Sequence, residues 1–200
     1  MSTSIDYFFT PQSPWTYLGH QRLLQIAAAA GAKVRVLPID LGQVFPISGG
    51  LPLGKRAPQR QAYRLLELQR FSQQLDLPLH LNPTYFPVAG DDASRLIIAV
   101  DQHDGSAAAL QISGAIFSAV WAQQRNIAEA KVLAELLQEC GLDGARLAQS
   151  REAAVQAAYQ ANTQAAIATG IFGAPSYVID GEIFWGQDRL DFVERKLQAA

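Results

Sequence analysis

Four consecutive residues, Ser13-Pro14-Trp15-Thr16, include the side chain best placed for chemistry. They follow a short apolar segment and open an amphipathic one, so we expect them where a strand gives way to a helix. Free amides at a helix N-terminus favour an anion such as a thiolate. The alternative is a plain N-cap, with Ser13 accepting from a helix amide and Pro14 in the first helical position.

A second segment, Gly173-Ala174-Pro175-Ser176, stands at the entrance of a predicted strand. An X-Pro bond is cis in roughly 5% of cases in folded proteins. Base rates therefore favour a trans Ala174-Pro175 bond, and composition does not decide the isomer.

Cysteine and histidine offer no metal site. Cys140 is the one cysteine of the sequence, which excludes an internal disulfide, and its apolar helical surroundings predict a buried, inert thiol. The three histidines, His20, His80 and His103, lack the Cys/His spacing of structural zinc sites. His20 lies one turn beyond Thr16, and we expect it at the surface or in a capping role, with a position facing the site as the alternative.

Composition describes a globular chain with no basic excess. The 200 residues are 49% hydrophobic and 17% charged, with a net charge of −2. Nucleic-acid binding is not expected without excess Lys and Arg. The sequence contains no run of about 18 apolar residues, so we expect no membrane span. No targeting segment is visible. We expect the protein to be located in the reducing cytoplasm, although the lack of disulfides also suits a periplasmic protein.

The first forty residues predict a strand, a helix and a second strand. Ile5 to Phe9 is aromatic and β-branched. A helix follows from Ser13 and stops at Gly31. Lys33 to Ile39 alternates like a strand, so we expect a parallel, right-handed β-α-β unit.

The middle of the chain predicts a loop followed by helices. Gly42 to Pro58 is rich in glycine and proline and is typical of a long, functional loop. From about Gln59 to Gly170 the apolar spacing predicts helices only.

The last segment returns to strands. Ser176 to Ile179 and Glu182 to Trp185 flank Asp180-Gly181, a strong hairpin signal. Asp188 is a candidate cap for a final helix. Its predicted buried face is Leu190, Val193 and Leu197.

Neither β-containing end is large enough to form a core alone. We therefore expect one α/β sheet built from both ends, with residues 1–48 and 170–200 as a discontinuous domain. Residues 49–169 form the predicted inserted helical domain with its preceding loop.

The order of these segments resembles the DsbA-like branch of the thioredoxin superfamily, a thioredoxin-like sheet with a large all-helical insertion. Ser13 and Thr16 stand where redox members carry Cys-x-x-Cys, so dithiol exchange through this motif is excluded. Among serine-containing members, the sequence is more similar to 2-hydroxychromene-2-carboxylate isomerases than to kappa-class glutathione transferases. The similar segments are Asp6 to Phe9, Ser13 to Leu18, Ile39 to Leu41, Tyr63 to Phe71, Gly170 to Ser176 and Phe184 to Leu190.

This resemblance implies glutathione as cofactor. The implied binding residues are Ser13, Pro14, Trp15, Ala174, Pro175, Asp188 and Arg189. In the family the serine hydroxyl donates to the glutathione sulfur, which carries over to Ser13. The residue before a cis-proline, here Ala174, offers its backbone to the cysteinyl unit. Asp188 and Arg189 correspond to the contact with the γ-glutamyl end; the alternatives are an N-cap and a solvated charge.

The resemblance also places basic residues near the glycyl carboxylate of glutathione and the substrate carboxylate. Of the basic residues around the loop, we assign Arg60 or Arg64 to this role, with a solvated helix face as the alternative. The basic residues are Lys55, Arg56, Arg60 and Arg64.

Trp15 and Trp185 are candidates to line the pocket of an aromatic substrate or to pack in the core, and Trp121 is expected in the core.

Two positions depart from the family pattern. Gly49-Gly50 stands where the family often has Gly-Asn, which removes a side-chain contact to glutathione. Thr10 stands where several members carry Asp, which changes the support behind Ser13.

The implied reaction is the glutathione-dependent interconversion of 2-hydroxychromene-2-carboxylate and trans-o-hydroxybenzylidenepyruvate, as in naphthalene-type catabolism. Two alternatives stay open: a kappa-like glutathione transferase or peroxidase, and a non-catalytic thioredoxin-like binding module. The resemblance implies a homodimer acting on a small aromatic substrate, without nucleic acid or membrane partners.

Overall fold

The structure, a computed structural model, describes residues 3–199. Its four-stranded sheet has the order β2-β1-β3-β4. β1 pairs in parallel with β2, while β3 is antiparallel to both β1 and β4. The strands are β1 (Ser4–Phe9), β2 (Lys33–Pro38), β3 (Ser176–Ile179) and β4 (Glu182–Trp185). The prediction of one α/β sheet built from both ends of the chain is confirmed.

Helices make up most of the rest of the described chain. They are α1 (Pro14–Ala29), α2 (Leu41–Ser48), α3 (Pro58–Leu75), α4 (Asp91–Asp104), α5 (Ser106–Trp121), α6 (Ala130–Glu139), α7 (Arg146–Gln149), α8 (Ala153–Thr169) and α9 (Leu190–Gln198). None of the helices in residues 3–199 is long and apolar enough to cross a membrane.

The predicted loop from Gly42 to Pro58 is wrong in its first half, which forms α2. Asp40 caps this helix by accepting the Gly42 amide at 2.7 Å. Pro46 lies inside it, late enough in a short helix that its missing amide removes few bonds. The helix ends at Gly49, whose φ of 76° is the left-handed C-cap conformation. A 3-10 turn at Leu53–Lys55 follows.

The stretch from Gln59 to Gly170, predicted to contain only helices, also includes a long non-helical segment. Asp76 ends α3 in the left-handed conformation, with a φ of 51°. No helix forms before α4, because Pro78, Pro83 and Pro87 interrupt this stretch.

The last helix begins differently from the prediction. Asp188 lies in a 3-10 turn, Gln187–Arg189, and does not cap α9. Its carboxylate instead accepts a hydrogen bond from Arg189 at 2.9 Å. The predicted inward face is confirmed, since the described structure buries it completely or nearly so: Leu190, Val193 and Leu197.

The main hydrophobic core joins the sheet to the helical block. The Phe9 ring of β1 meets the Phe117 ring of α5 edge-on, with centroids 5.3 Å apart. Trp121 is fully buried in the same cluster, which confirms its predicted core position. The domain division stays a prediction, and its outermost residues 1, 2 and 200 lie outside the described residues.

Two side chains differ in burial from their predictions. Cys140 is half-buried because it follows the last residue of α6, and burial raises the pKa of its thiol. His20 is buried between β1 and α5, where its ring nitrogens contact the Tyr7 hydroxyl at 3.4 Å and the Leu110 carbonyl oxygen at 3.0 Å. Burial lowers the pKa of His20 to about 4.

Candidate functional site

Ser13 is the N-cap of α1 and closes the turn that leaves β1. Its backbone amide donates to the Thr10 carbonyl at 3.1 Å, and its Oγ accepts the Thr16 amide at 3.2 Å. Pro14 occupies the first helical position. The capping role is therefore present, and it leaves the hydroxyl proton free to point elsewhere.

The second motif lies against the first. The Ala174-Pro175 peptide bond is cis, as the family resemblance implied. Ser13 Oγ donates to the Ala174 carbonyl oxygen at 3.4 Å. The following loop is held by the Gly186 amide, which donates to the Pro175 carbonyl at 2.9 Å. Two segments separated by 161 residues thus meet at one hydroxyl.

Two adjoining cavities open at this contact. The Ser13 cavity, of about 720 Å³, contains the Ser13-Pro14-Trp15 segment and extends to α2. The Asp188 cavity, of about 500 Å³, contains the turn with Asp188 and Arg189. The residues that line both cavities are Trp15, Arg56, Arg60, Arg64, Ala174 and Trp185. They form one continuous groove.

Three arginines at four-residue spacing form one wall of the groove, the arginine wall: Arg56, Arg60 and Arg64. Within residues 3–199 no carboxylate lies within ion-pair distance of any of them. Burial, and then the like charge of Arg56, lower the pKa of Arg64 to about 10. Burial, and then the charge of Arg60, lower the pKa of Arg56. The wall therefore concentrates uncompensated positive charge.

Aromatic faces fix the deepest of these arginines. The Arg64 guanidinium carbon lies 5.4 Å from the centroid of the Phe86 ring and 5.7 Å from that of Trp121. Stacking on π faces holds a guanidinium while leaving its N–H edge free for an anion.

The opposite end of the groove carries acid and amide groups. Asp188 and Arg189 form an exposed ion pair at 2.9 Å. Gln187 beside them is only 3% exposed, and its Nε2 has no hydrogen-bond partner within the described structure. The Gln187 amide nitrogen is therefore a buried, unsatisfied donor next to the groove.

Aromatic side chains border the groove mouth. Trp185 is 50% exposed and meets Phe172 at a centroid distance of 4.7 Å. Gly173 makes this position possible, because a Cβ there would lie 2.4 Å from Trp185 Nε1. Trp15 packs edge-on against Phe71 at 6.0 Å and remains part of the cavity lining.

Comparisons with known proteins agree with this architecture. A DSBA-like thioredoxin domain model matches residues 4–198. A 2-hydroxychromene-2-carboxylate isomerase of Pseudomonas putida is 30% identical over 95% of this chain and 92% of its own length.

The chain belongs to the 2-hydroxychromene-2-carboxylate isomerase family.

A solved structure of a 2-hydroxychromene-2-carboxylate isomerase matches with a TM-score of 0.80 at 26% identity, covering 98% of this chain and 95% of that one. A kappa 1 glutathione S-transferase of Rattus norvegicus is 22% identical over 94% of this chain and 88% of its own length. The predicted relation of this isomerase family to the kappa class is confirmed.

The two departures from the family pattern have structural explanations. A Cβ at position 50 would lie 2.2 Å from a ring carbon of Phe45, so the Phe45 ring occupies the space that a side chain there needs. Thr10 is 3% exposed, and its carbonyl oxygen accepts the Ser13 amide, so it supports Ser13 through the backbone.

The groove brings most of the sequence-predicted residues together. Pro175 lines neither cavity and acts behind Ala174. Arg56, Phe86, Phe172 and Gln187 line the groove without having been assigned a role. Two of these residues could have been predicted from the sequence. Arg56 lies four residues before Arg60, and Gln187 directly precedes the Asp188-Arg189 pair. Nothing local in the sequence marks Phe86.

Proposed function

We propose that this protein is a glutathione-dependent cis-trans isomerase that interconverts 2-hydroxychromene-2-carboxylate and trans-o-hydroxybenzylidenepyruvate. The observation that carries the proposal is the Ser13 hydroxyl, which faces the Ala174 carbonyl oxygen at 3.4 Å inside a cationic groove. Relatives with this isomerase name and near-complete coverage support the same reaction.

The residues of the groove fit glutathione. Its thiolate suits the start of α1 and the Ser13 hydroxyl. Its glycyl carboxylate suits the arginine wall. Its γ-glutamyl ammonium and carboxylate suit the Asp188-Arg189 pair, with the unpartnered Gln187 amide beside them.

Glutathione bound here would supply a thiolate for reversible addition to the conjugated enone of the ring-opened form. Addition would make the double bond single and free to rotate, and elimination of the thiolate would restore the double bond and the free cofactor. Ser13 orients and stabilises that negative charge with its O–H donor, while its Oγ keeps the Thr16 amide capped. Ala174 offers backbone groups to the peptide part of the ligand. Arg60 holds the glycyl carboxylate of glutathione, Arg64 holds the carboxylate of the electrophile, and Trp15 and Trp185 border the aromatic ring of the electrophile.

Calorimetric titration with reduced glutathione, together with thiolate absorbance against pH, tests the cofactor assignment. We expect saturable binding and a thiol pKa below that of free glutathione. No binding at millimolar glutathione would refute the assignment and favour a binding module that takes extended peptides beside Ala174.

A kappa-like glutathione transferase is the second candidate, supported by the similarity to the rat kappa enzyme. The two activities differ in the fate of the product. An isomerase returns free glutathione after each turnover, whereas a transferase releases a stable thioether conjugate, so mass spectrometry of the product mixture separates them.

We also propose a cytoplasmic homodimer. The single cysteine suits a reducing compartment, and the dimer follows from the family resemblance. Light scattering coupled to size-exclusion chromatography measures the oligomeric state directly, and a monomeric mass at micromolar concentration contradicts the dimer.

A further inference from the structure

The arginine wall holds more positive charge than the groove itself neutralises. Among the described lining residues, the carboxylates are Glu67 and Asp188, both in the Asp188 cavity. Glu67 is paired with Arg70 at 2.6 Å, and Asp188 is paired with Arg189 at 2.9 Å. The three guanidinium groups of the arginine wall therefore have no carboxylate partner in the groove and are available to bind anionic ligands.

Glutathione, if it binds as proposed above, neutralises only part of this charge. Its γ-glutamyl end is a zwitterion that faces the Asp188-Arg189 pair, and its thiolate is served by Ser13 and the start of α1. Its glycyl carboxylate requires one guanidinium. Arg60 suits that role because it is the exposed member of the wall.

The other two arginines are partly buried and held in place. The Arg56 Nε donates to the Leu51 carbonyl at 2.8 Å, which fixes the side chain and leaves its terminal nitrogens free. Arg64 is held by the Phe86 and Trp121 rings. Partly desolvated cations that repel one another are costly unless a ligand compensates them.

We propose that Arg56 and Arg64 form two anion subsites for the electrophile, so that the preferred substrate is a conjugated 2-oxo acid carrying a second carboxylate. This inference rests on the proposed function for the thiol chemistry, whereas the anion subsites themselves stand on the charges of the wall. The second carboxylate takes no part in addition or elimination. It anchors the electrophile while the carbon–carbon bond rotates.

Binding of phthalate and benzoate to the glutathione-loaded protein tests the subsites without catalysis. The two probes share one ring and differ by one carboxylate. At low ionic strength we expect phthalate to bind about tenfold more tightly or better, the effect of one additional charge-assisted contact. Arg56→Gln should bring the two affinities together. Arg151→Gln removes the same charge from an exposed position outside the groove and should leave the ratio unchanged.

Equal affinities of the wild type for both probes would overturn the proposal. The proposal would also be overturned if Arg56→Gln kept the preference for phthalate. The same holds if Arg151→Gln lost that preference to the same extent as Arg56→Gln. Thermal unfolding of each variant confirms that it remains folded.

A kinetic comparison separates this inference from the proposed function. Wild-type kcat/KM is measured for trans-o-hydroxybenzylidenepyruvate and for its ring-carboxylated analogue. A higher value for the analogue, lost in Arg56→Gln, supports the dianionic substrate. Turnover of the unsubstituted compound with equal or higher kcat/KM contradicts it. No turnover of either compound contradicts the isomerase proposal, while the probe affinities still decide the anion subsites.

Discussion

Replacing Ser13 by Ala separates the chemical role of this residue from its structural one. The Ser13 Oγ accepts the Thr16 amide at 3.2 Å, and loss of such an N-cap costs about 1 kcal/mol. For a chain of this size that corresponds to a fall in Tm of about 2–4 °C. The overall fold should otherwise be unchanged.

The chemical cost is larger. The Ser13 Oγ lies 3.4 Å from the Ala174 carbonyl oxygen, well beyond the usual O–H···O distance of about 2.7–2.8 Å. The hydroxyl proton is thus weakly held and can turn to a sulfur anion at little cost. A hydrogen bond to a charged group contributes about 1.5–3 kcal/mol, so its loss raises the thiol pKa by about 1–2 units.

Thiolate absorbance of bound glutathione measures that pKa, and initial rates measure turnover. Below both thiol pKa values, kcat/KM should fall by about 10–100-fold, in proportion to the thiolate population. Ser13→Thr keeps the hydroxyl and should restore most of both quantities. Asn126→Ala removes a comparable cap from a remote turn, where Asn126 Oδ1 accepts the Ala128 amide.

Two results would refute this reasoning. One is a Ser13→Ala variant that loses about 1 kcal/mol of stability but retains the wild-type thiol pKa and rate. The other is an Asn126→Ala variant with an equal loss of activity. Either result would show that Ser13 acts only as a helix cap.

Three further predictions concern the surroundings of the site. Arg64→Gln should raise the KM for an anionic electrophile about tenfold, with partial recovery in Arg64→Lys; unchanged steady-state kinetics would rule out an anion contact. Gly50→Ala forces a Cβ to within 2.2 Å of the Phe45 ring and should cost about 1–3 kcal/mol in urea unfolding. That cost should shrink in a Phe45→Ala background, and strict additivity would contradict the clash. His20 is held neutral, with its pKa lowered to about 4 by burial, so folding stability should fall as the pH drops from about 6.5 to about 4, by about 3 kcal/mol in total. His20→Gln should flatten this slope, and parallel stability curves for the two proteins would show that another group titrates.

The sequence predicts those parts of the fold that local patterns determine. The strand from Ile5 to Phe9 has the apolar, β-branched character of a buried strand, and Asp180-Gly181 gives the correct hairpin turn. Ser13 is the N-cap that its position before a proline indicated. These features depend on neighbouring residues, which a single sequence displays directly.

The parts that were missed depend on contacts between distant segments. Helix α2 forms within a stretch rich in glycine and proline because Asp40 caps it and Val44 is buried on it. Phe86 reaches the groove only through the packing of Trp121 and Arg64. No periodicity or spacing in the sequence predicts those contacts. The sequence also does not show that the charge of Arg56 is unneutralised, because that depends on Glu67 and Asp188 being paired with other arginines.

The meeting of Ser13 with Ala174 also sets the order in which the molecule can mature during synthesis. β1 can pair with β2 early, since both strands leave the ribosome within the first forty residues. Its other edge has no partner until β3 has been made, more than 130 residues later. The helical block is therefore made while the sheet is still incomplete, and this long-range pairing can close only after β3 has been made. The groove exists only after β3 has paired with β1, so a small molecule that binds in the groove stabilises only completed chains. A higher concentration of that molecule in the cell would therefore stabilise the folded protein and leave nascent chains unaffected.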